Sequence, residues 1–144
     1  MTLAVIDSNV VLPLILEQHT HREAAAKWWD EQPDQSVIFT LPVRMSILRL
    51  LTNRKLMGEG VLQPDQAWEA LHLLTGDIRS VIHHQNPVGL DRIWLRLVRD
   101  REPTPNLWTD AWLAAYAEAA DAEMITFDRG FRSFSLGRIR LLGQ

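Results

Sequence analysis

Hydrophobic and polar positions follow one another along the chain in the pattern of short strands separated by amphipathic helices. Five apolar runs of strand length lie at residues 3–6, 36–39, 81–82, 124–127 and 139–142. The longer stretches between them repeat apolar residues at helical spacing, as at Trp112, Tyr116 and Ala120. Alternating strands and helices predict an α/β fold with three layers, α/β/α, in which helices cover both faces of a central parallel sheet of about four to five strands.

Composition points to one domain and removes several classes of chemistry. With 144 residues, 47% of them hydrophobic, the chain is expected to fold as a single domain over residues 1–144. The absence of cysteine excludes disulfides, zinc–thiolate sites and a thiol nucleophile. No apolar run approaches the roughly 18 residues of a membrane span, and no basic segment precedes the first apolar run. We therefore predict a cytoplasmic protein with no membrane partner.

Three aspartates stand where a parallel sheet gathers its functional groups. Asp7 follows the first strand, Asp128 follows the run at 124–127, and Asp110 opens the helix before that run, with Thr109 as its expected N-cap. If the first strand and the 124–127 strand are neighbours, Asp7 and Asp128 leave the sheet side by side, near Asp110. Carboxylates about 4 Å apart repel by about 4 kcal/mol at an effective dielectric of about 20. Such a group binds either protons or a cation, and oxygen ligands alone favour Mg²⁺ or Mn²⁺.

Each aspartate also has a purely structural interpretation. Asp7 can cap the following helix, Asp110 can interact with the helix dipole, and Asp128 can begin an ordinary turn with Arg129 and Gly130. Taken one at a time, these interpretations are the more common ones. The convergence of two strand ends and one helix start favours a site.

Other polar groups give weaker indications. Arg92, Arg96 and Arg99 form a basic stripe that is interpreted as a solvated helix face, with contact to phosphates as the alternative. The same question applies to the arginines near the carboxyl end, at positions 129, 132, 138 and 140. The histidine pairs at 19/21 and 83/84 lack the helical spacing of metal ligands and are interpreted as solvated. The formal net charge of −3 does not by itself indicate a nucleic-acid partner, although an acidic active site would contribute to it.

The segments around the three aspartates resemble a known family. DSNV at 7–10, TDA at 109–111 and TFDRGF at 126–131 are similar, in this order, to the motifs of a PIN domain. LRLLTN at 48–53, followed by LMG at 56–58, resembles the VapC-type toxins of bacterial toxin–antitoxin pairs. The resemblance covers nearly the whole chain in order and length.

This resemblance implies a Mg²⁺- or Mn²⁺-dependent endoribonuclease that cleaves RNA, is neutralised by a cognate VapB-like antitoxin protein and is commonly a homodimer. Carried over by position, the metal-binding and catalytic carboxylates are Asp7, Asp110 and Asp128. Asn9 and the two threonines, Thr109 and Thr126, take supporting positions as polar neighbours.

The chain departs from the family pattern in the third helix. Many PIN domains carry a further acid there, and our alignment places Arg44 at that position, with no acid anywhere from Gln35 to Lys55. An arginine beside three aspartates either pairs with one of them and weakens metal binding, or holds a substrate phosphate. The first possibility gives an alternative function, a metal-deficient PIN-like binding protein without nuclease activity.

Two other classes of protein also place acids at strand ends. A phosphoacceptor receiver domain needs adjacent acids after the first strand and a late lysine, whereas Ser8 follows Asp7 and no lysine occurs after Lys55. A haloacid-dehalogenase-like phosphatase needs an acid at the position of Asn9. Both classes are therefore disfavoured.

Overall fold

A computed structural model describes residues 2–143 and contains one five-stranded sheet. Its strands are β1 (Ala4–Ile6), β2 (Val37–Ile38), β3 (Ser80–Val81), β4 (Glu123–Thr126) and β5 (Ile139–Leu141). The strand order is β3-β2-β1-β4-β5, and every neighbouring pair is parallel. This confirms the α/β class and the parallel sheet predicted from the pattern of apolar runs.

Helices fill the connections between the strands. They are α1 (Ser8–Ile15), α2 (Arg22–Asp30), α3 (Leu41–Leu51), α4 (Arg54–Met57), α5 (Pro64–Thr75), α6 (Leu90–Val98) and α7 (Leu107–Ala119). A 3₁₀ turn (Arg129–Phe134) joins β4 to β5. None of the helices within residues 2–143 has the length and apolar composition that crossing a membrane would require.

The sheet is the centre of the core because its strands are apolar on both faces. Val5, Ile38 and Ile125 are fully buried, as expected for parallel strands covered by helices on each side. Helix α1 contacts both α2 and α3, and α3 contacts α5, whereas α6 packs mainly on α7. Right-handed crossovers place these two groups on opposite faces, since the chain moves outward from β1 to β3 and then returns to β4.

The return of the chain creates a switch point between β1 and β4. The chain leaves β1 toward β2 on one side and comes back to β4 on the other side, so the connections diverge at this pair. Asp7 continues the pairing, since its N–H donates to the carbonyl of Ile125 at 3.0 Å. In open α/β sheets a switch point of this kind leaves a crevice beyond the carboxyl ends of the strands, and it is the usual place for a site.

One local prediction is wrong. Helix α7 begins at Leu107 with Asn106 as its N-cap, so Thr109 lies inside the first turn instead of capping it. The Thr109 hydroxyl donates to the carbonyl of Asn106 at 3.2 Å. Asp110 remains in the first turn of the helix, as predicted.

Candidate active site

Asp7 is buried at the carboxyl end of β1 and is held by two donors. Its Oδ1 accepts from the N–H of Ser8 at 2.7 Å, which makes it the N-cap of α1. Its Oδ2 accepts from the hydroxyl of Thr126 at 2.8 Å. Burial raises the pKa of Asp7 above its usual range, the charge of Asp128 adds to the rise, and the hydrogen bonds from Thr126 and Ser8 oppose it. Asp7 therefore caps a helix and also faces the other acids.

The hydroxyl of Thr126 connects three parts of the site. It donates to Asp7 and accepts from the side-chain amide of Asn9 and from the N–H of Asp128, both at 3.0 Å. The other end of the Asn9 amide accepts from the N–H of Phe127 at 3.1 Å. Because Thr126 is fully buried, this network fixes the end of β4 against the start of α1. Thr126 thus contacts Asp7 directly, and Asn9 is joined to this acid through the Thr126 hydroxyl. Within residues 2–143, the side-chain hydrogen bond of Thr109 stays in its own helix turn.

Asp128 lies at the start of the turn that follows β4. Its Oδ1 accepts from the N–H of Gly130 at 2.8 Å, so the predicted turn forms. A Cβ added at Gly130 would lie 3.0 Å from this carboxylate oxygen. Glycine at this position therefore lets the backbone approach the carboxylate closely. Asp128 itself is exposed to solvent.

Asp110 differs from the other two acids because no hydrogen bond from residues 2–143 holds its carboxylate. Burial raises the pKa of Asp110 to about 6, and the charges of Asp7 and then Asp128 contribute to the rise. The three carboxylates are therefore close enough to repel one another. This is the electrostatic arrangement that the strand ends and the helix start predicted.

Two cavities adjoin the acids and share Asp110. The central cavity, of about 450 Å³, is lined by Asp7 and Asp110 together with residues of α3. The Arg101 cavity, of about 330 Å³, is lined by Asp110, Asp128 and Arg101. Asp110 therefore lies between two cavities, one of which also reaches Asp7 and the other Asp128.

The α3 wall of the central cavity corrects the expectation for Arg44. This wall contains Met45, Ser46 and Arg49, whereas the Nε of Arg44 donates to the carbonyl of Phe39 at 3.3 Å. Arg44 is therefore engaged with its own neighbourhood instead of facing the aspartates. Within residues 2–143, no arginine or lysine lies within ion-pairing distance of any of the three acids. The contact proposed to disable metal binding is absent from this part of the chain.

The donor set suits an open cation site. Among residues 2–143, no three His, Asp or Glu side chains pack tightly enough to enclose a metal by themselves. The expected cluster is therefore looser than a closed cage. Carboxylate oxygens are nevertheless the ligands that Mg²⁺ and Mn²⁺ prefer, and Mg²⁺ usually keeps several water ligands. A divalent cation would also relieve the repulsion that raises the pKa of Asp110.

Three of the arginines singled out in the sequence form ion pairs with acids outside the site. Arg96 pairs with Glu118 at 2.5 Å, and further pairs join Arg138 to Asp121 and Arg140 to Glu123, at 3.1 and 3.6 Å. For Arg96 this favours a helix-surface role over contact with phosphates. Sequence reasoning missed Arg101 and Arg49, which line the cavities.

Arg101 is fixed at the rim of its cavity. Its guanidinium donates to the hydroxyl of Ser133 at 2.9 Å and to the Ser133 carbonyl, and it lies 4.4 Å from the centroid of the Phe134 ring. Nothing in the sequence around Arg101 indicates this contact, because Ser133 is 32 residues away.

Comparisons with known proteins agree on one family. The model of the PIN domain family matches residues 4–135. Ribonuclease VapC41 of Mycobacterium tuberculosis, from strains CDC 1551 and H37Rv, is 34% identical over 142 residues, covering 96% of this chain and 97% of the relative.

Solved structures share the fold at low sequence identity. VapC20 of Mycobacterium tuberculosis, a sarcin–ricin loop cleaving toxin, superposes with a TM-score of 0.65 at 19% identity, covering 95% of this chain and 98% of that one. VapBC2 from Rickettsia felis, bound to a DNA fragment from its promoter, gives a TM-score of 0.67 at 11% identity, with coverages of 97% and 98%. VapBC-1 from nontypeable Haemophilus influenzae gives 0.68 at 16% identity, with coverages of 96% and 97%. Because the family model spans most of the chain and the VapC41 match spans nearly all of both chains, this protein belongs to the PIN-domain family, among its VapC ribonucleases.

Proposed function

We propose that this VapC ribonuclease is a Mg²⁺- or Mn²⁺-dependent endoribonuclease toxin in which Asp7, Asp110 and Asp128 hold the metal. The observation that carries the proposal is the coupling of the three carboxylates at the switch point of the sheet. Asp110 has a pKa raised to about 6 by burial and by the charges of the other two acids. Strongly perturbed acids that line a cleft are typical of catalytic sites.

The residues of the chain have distinct tasks in this proposal. Asp7, Asp110 and Asp128 offer oxygen ligands, and the hydroxyl of Thr126 keeps the Asp7 carboxylate oriented toward the cavity. When bound, the ion would polarise the scissile phosphate and lower the pKa of water toward neutrality. Arg49 lines the central cavity and, within residues 2–143, has no carboxylate partner, so it is available to a substrate phosphate.

The reaction is hydrolysis of a phosphodiester bond in RNA. Water adds to phosphorus in line with the 3′ oxygen, the bond from phosphorus to that oxygen breaks, and the oxygen leaves as a hydroxyl. The products are a 5′-phosphate and a 3′-hydroxyl. Single-stranded or looped RNA suits the site best, because its phosphates can enter a recessed cavity and its bases are free to bind.

The proposed partners follow from the family and from the surface of the protein. Relatives with this fold were crystallised as VapBC complexes, which supports a cognate antitoxin that holds the toxin inactive in the cytoplasm. Large apolar side chains are exposed near the site, including Met45 at 57% and Leu41 at 57% on α3. Such residues are suited to an antitoxin or to a second copy of the chain in a homodimer.

Cleavage of RNA by the isolated protein tests the proposal. The native protein, freed of antitoxin, should cleave a mixed-sequence RNA pool when Mg²⁺ or Mn²⁺ is added and should stop when a chelator removes the metal. Asp110→Asn and Asp128→Asn should each reduce cleavage to background while the protein stays folded. Asp121→Asn is the matched control, because Asp121 is an exposed acid that lines neither of the two cavities. Full activity in either site variant would remove that residue from the mechanism, and activity without any divalent metal would contradict the proposal.

A further inference from the structure

A third cavity, of about 390 Å³, adjoins the acids and has no role in the chemistry proposed above. We call it the histidine cavity, since His19 and His21 line it together with Phe127. Ser8 lines both this cavity and the central cavity, and Asp128 lines both this cavity and the Arg101 cavity. A chain whose phosphate lies at the acids would therefore place a neighbouring group in the histidine cavity.

The three rings form a stacked aromatic wall. The ring of His21 stacks on that of Phe127, with centroids 4.1 Å apart and planes 21° apart. The ring of His19 lies 5.6 Å from that of His21, tilted by 32°. Histidine and phenylalanine rings arranged in this way are the surfaces on which unpaired nucleic-acid bases stack.

Phe127 is fixed in this wall by its place in the site. Its N–H donates to Asn9 at 3.1 Å, and it lies between Thr126 and Asp128 in the chain. A Cβ added at Gly143 would lie 3.3 Å from the Cδ1 and Cε1 atoms of Phe127, so backbone packs closely against the ring. The wall is therefore positioned by the residues that position the acids.

The remaining surface of the cavity suits a flat, neutral, polar-edged ligand. Leu12 and Leu50 give it apolar area, and Ser8 and Asn9 give it polar groups. His19 accepts the N–H of His21 on its Nδ1 at 3.0 Å, so the neutral ring carries its proton on Nε2 as a hydrogen-bond donor. Asp128 disfavours an anion in this cavity, so a phosphate is a poor occupant and a base is a good one.

We infer that the histidine cavity binds one nucleobase of the RNA strand, next to the phosphate at the acids, by stacking against the wall of His21 and Phe127. This inference rests on the proposed cleavage of RNA, since it names the subsite that holds the substrate beside the reacting bond. It also gives a role to His19 and His21, which the sequence alone presented as solvated.

Nucleoside binding tests the inference without metal or turnover. Adenosine and uridine carry a base but no phosphate, and ribose serves as the ligand without a base. Titrated into ¹⁵N-labelled protein in the absence of divalent metal, the nucleosides should shift the backbone amides of His21 and Phe127 saturably, and ribose should not. A native protein whose amides respond equally to ribose and to both nucleosides, or to none of them, would overturn the inference.

Variants at His21 separate stacking from other contributions. His21 has no side-chain capping bond to α2 and is exposed, so truncation should leave the protein folded. His21→Ala should weaken nucleoside binding on the order of tenfold, the usual effect of removing one stacking partner. His21→Phe should retain binding, and His84→Ala, at an exposed histidine outside the three cavities, should leave it unchanged. Equal affinity in the native protein and His21→Ala would refute stacking on this wall.

A second experiment connects the subsite to RNA. A short RNA that the native protein cleaves is compared with the same RNA carrying an abasic nucleotide beside the cleaved bond. The abasic change and His21→Ala should each raise KM with kcat preserved, and the two effects should not add, because both remove the same stack. Additive effects would contradict the inference. If the native protein cleaves no RNA, the proposed function fails, and the nucleoside titration still decides whether the cavity binds a base.

Discussion

Asp7 and Asp128, at the carboxyl ends of β1 and β4, are held differently from Asp110, in the first turn of α7, which shares one cavity with each of them. Asp7 and Asp128 accept hydrogen bonds at 2.7 to 2.8 Å from donors fixed by the backbone or by Thr126. In the described part of the chain, residues 2–143, Asp110 accepts no such bond, and its pKa rises to about 6 through burial and the neighbouring charges. The strand ends thus set the positions of two acids at the folding stage. The helix adds a third acid whose charged form is disfavoured by burial and by the other two acids.

The largest effect is expected where the strand-end network depends on one hydroxyl. Thr126→Val keeps the shape of the side chain but removes the hydroxyl that donates to Oδ2 of the buried Asp7, so that Ser8 alone still donates to this carboxylate, on Oδ1. Hydrogen bonds to charged groups contribute about 1.5–3 kcal/mol, so the free energy of unfolding should fall by about 2 kcal/mol. Cleavage should fall by about 10- to 100-fold, as when supporting partners of metal ligands are lost. Chemical denaturation and steady-state kinetics measure the two effects.

Thr126→Ser is the matched control for this substitution, because it keeps the hydroxyl and removes only a methyl group. It should retain most of the activity even if packing loss costs some stability. If Thr126→Val and Thr126→Ser are equally active, the hydroxyl does not hold Asp7 for function.

A tenfold change in KM is expected from one of the two arginines of α3, and the other arginine serves as its comparison. Arg49 lines the central cavity and Arg44 contacts the carbonyl of Phe39. Arg49→Ala should raise KM for RNA about tenfold. It should also lower the slope of log affinity against log salt concentration by about 1, the change expected when one phosphate contact is lost. Arg44→Ala should change KM by less than about twofold, since the guanidinium of Arg44 is engaged with the carbonyl of Phe39 and does not line the central cavity. Binding of RNA to both variants is measured over a range of salt concentrations. A greater loss of affinity in Arg44→Ala than in Arg49→Ala would show that Arg44, as the sequence alignment suggested, contacts the substrate.

The charge of Asp110, in the first turn of α7, should make the stability of the protein depend on pH. The pKa of Asp110 is higher in the folded protein, about 6, than its usual 3.8. The folded state therefore binds the proton more tightly, and stability falls as pH rises from about 4 through about 6. For a fully buried group, a rise in pKa of this size would lower the free energy of unfolding by about 3 kcal/mol above about pH 6. Because Asp110 is partly exposed, we expect about 1 kcal/mol.

Asp110→Asn removes this cost, so without metal the variant should be more stable than the native protein by about 1 kcal/mol at pH 8. The gain should disappear near pH 4, where the native acid is protonated. Thermal unfolding at the two pH values measures the difference, with Asp34→Asn, at an exposed loop acid, as the control for a generic loss of charge. A gain that is the same at both pH values would show that the charge of Asp110 is not its cause.

The smallest effect on metal affinity is expected at Gly130, whose backbone lies close to the Asp128 carboxylate. Gly130→Ala should displace the Asp128 carboxylate by a few tenths of an ångström, since the new Cβ would lie 3.0 Å from its Oδ1. Metal affinity measured by Mn²⁺ titration should fall by about two- to fivefold, less than the loss of a supporting partner. Gly137→Ala is the matched control, because a Cβ there meets nothing within 4 Å. Equal affinities in the two variants would show that the orientation of Asp128 is not limiting.

The sequence predicted the strand-end part of the site well because its signals are local. A short apolar run followed by an aspartate marks the end of a buried strand, and parallel neighbours bring such ends together. Asp7 and Asp128 were placed by this reasoning alone, and the supporting contacts of Asn9 and Thr126 agree with the resemblance to PIN domains.

The parts that depend on side-chain direction or on distant contacts were not predictable from the sequence. On α3 each residue is rotated by about 100° from the next, so the alignment that selected Arg44 missed the face that carries Ser46 and Arg49. The start of α7 was misplaced because Thr109 is a good capping residue, although Asn106 takes that position. The contact of His21 with Phe127 joins residues more than a hundred positions apart and has no local signal.

The most direct test of the shared carboxylate site is calorimetric titration of Mn²⁺ into the native protein, freed of antitoxin, and into Asp110→Asn. If the three acids form one cation site, the native protein should bind the metal with measurable heat, the variant should lose that binding, and Asp121→Asn should behave as the native protein. The absence of binding to folded native protein at millimolar Mn²⁺, or equal affinity in Asp110→Asn, would contradict a metal site built from these carboxylates.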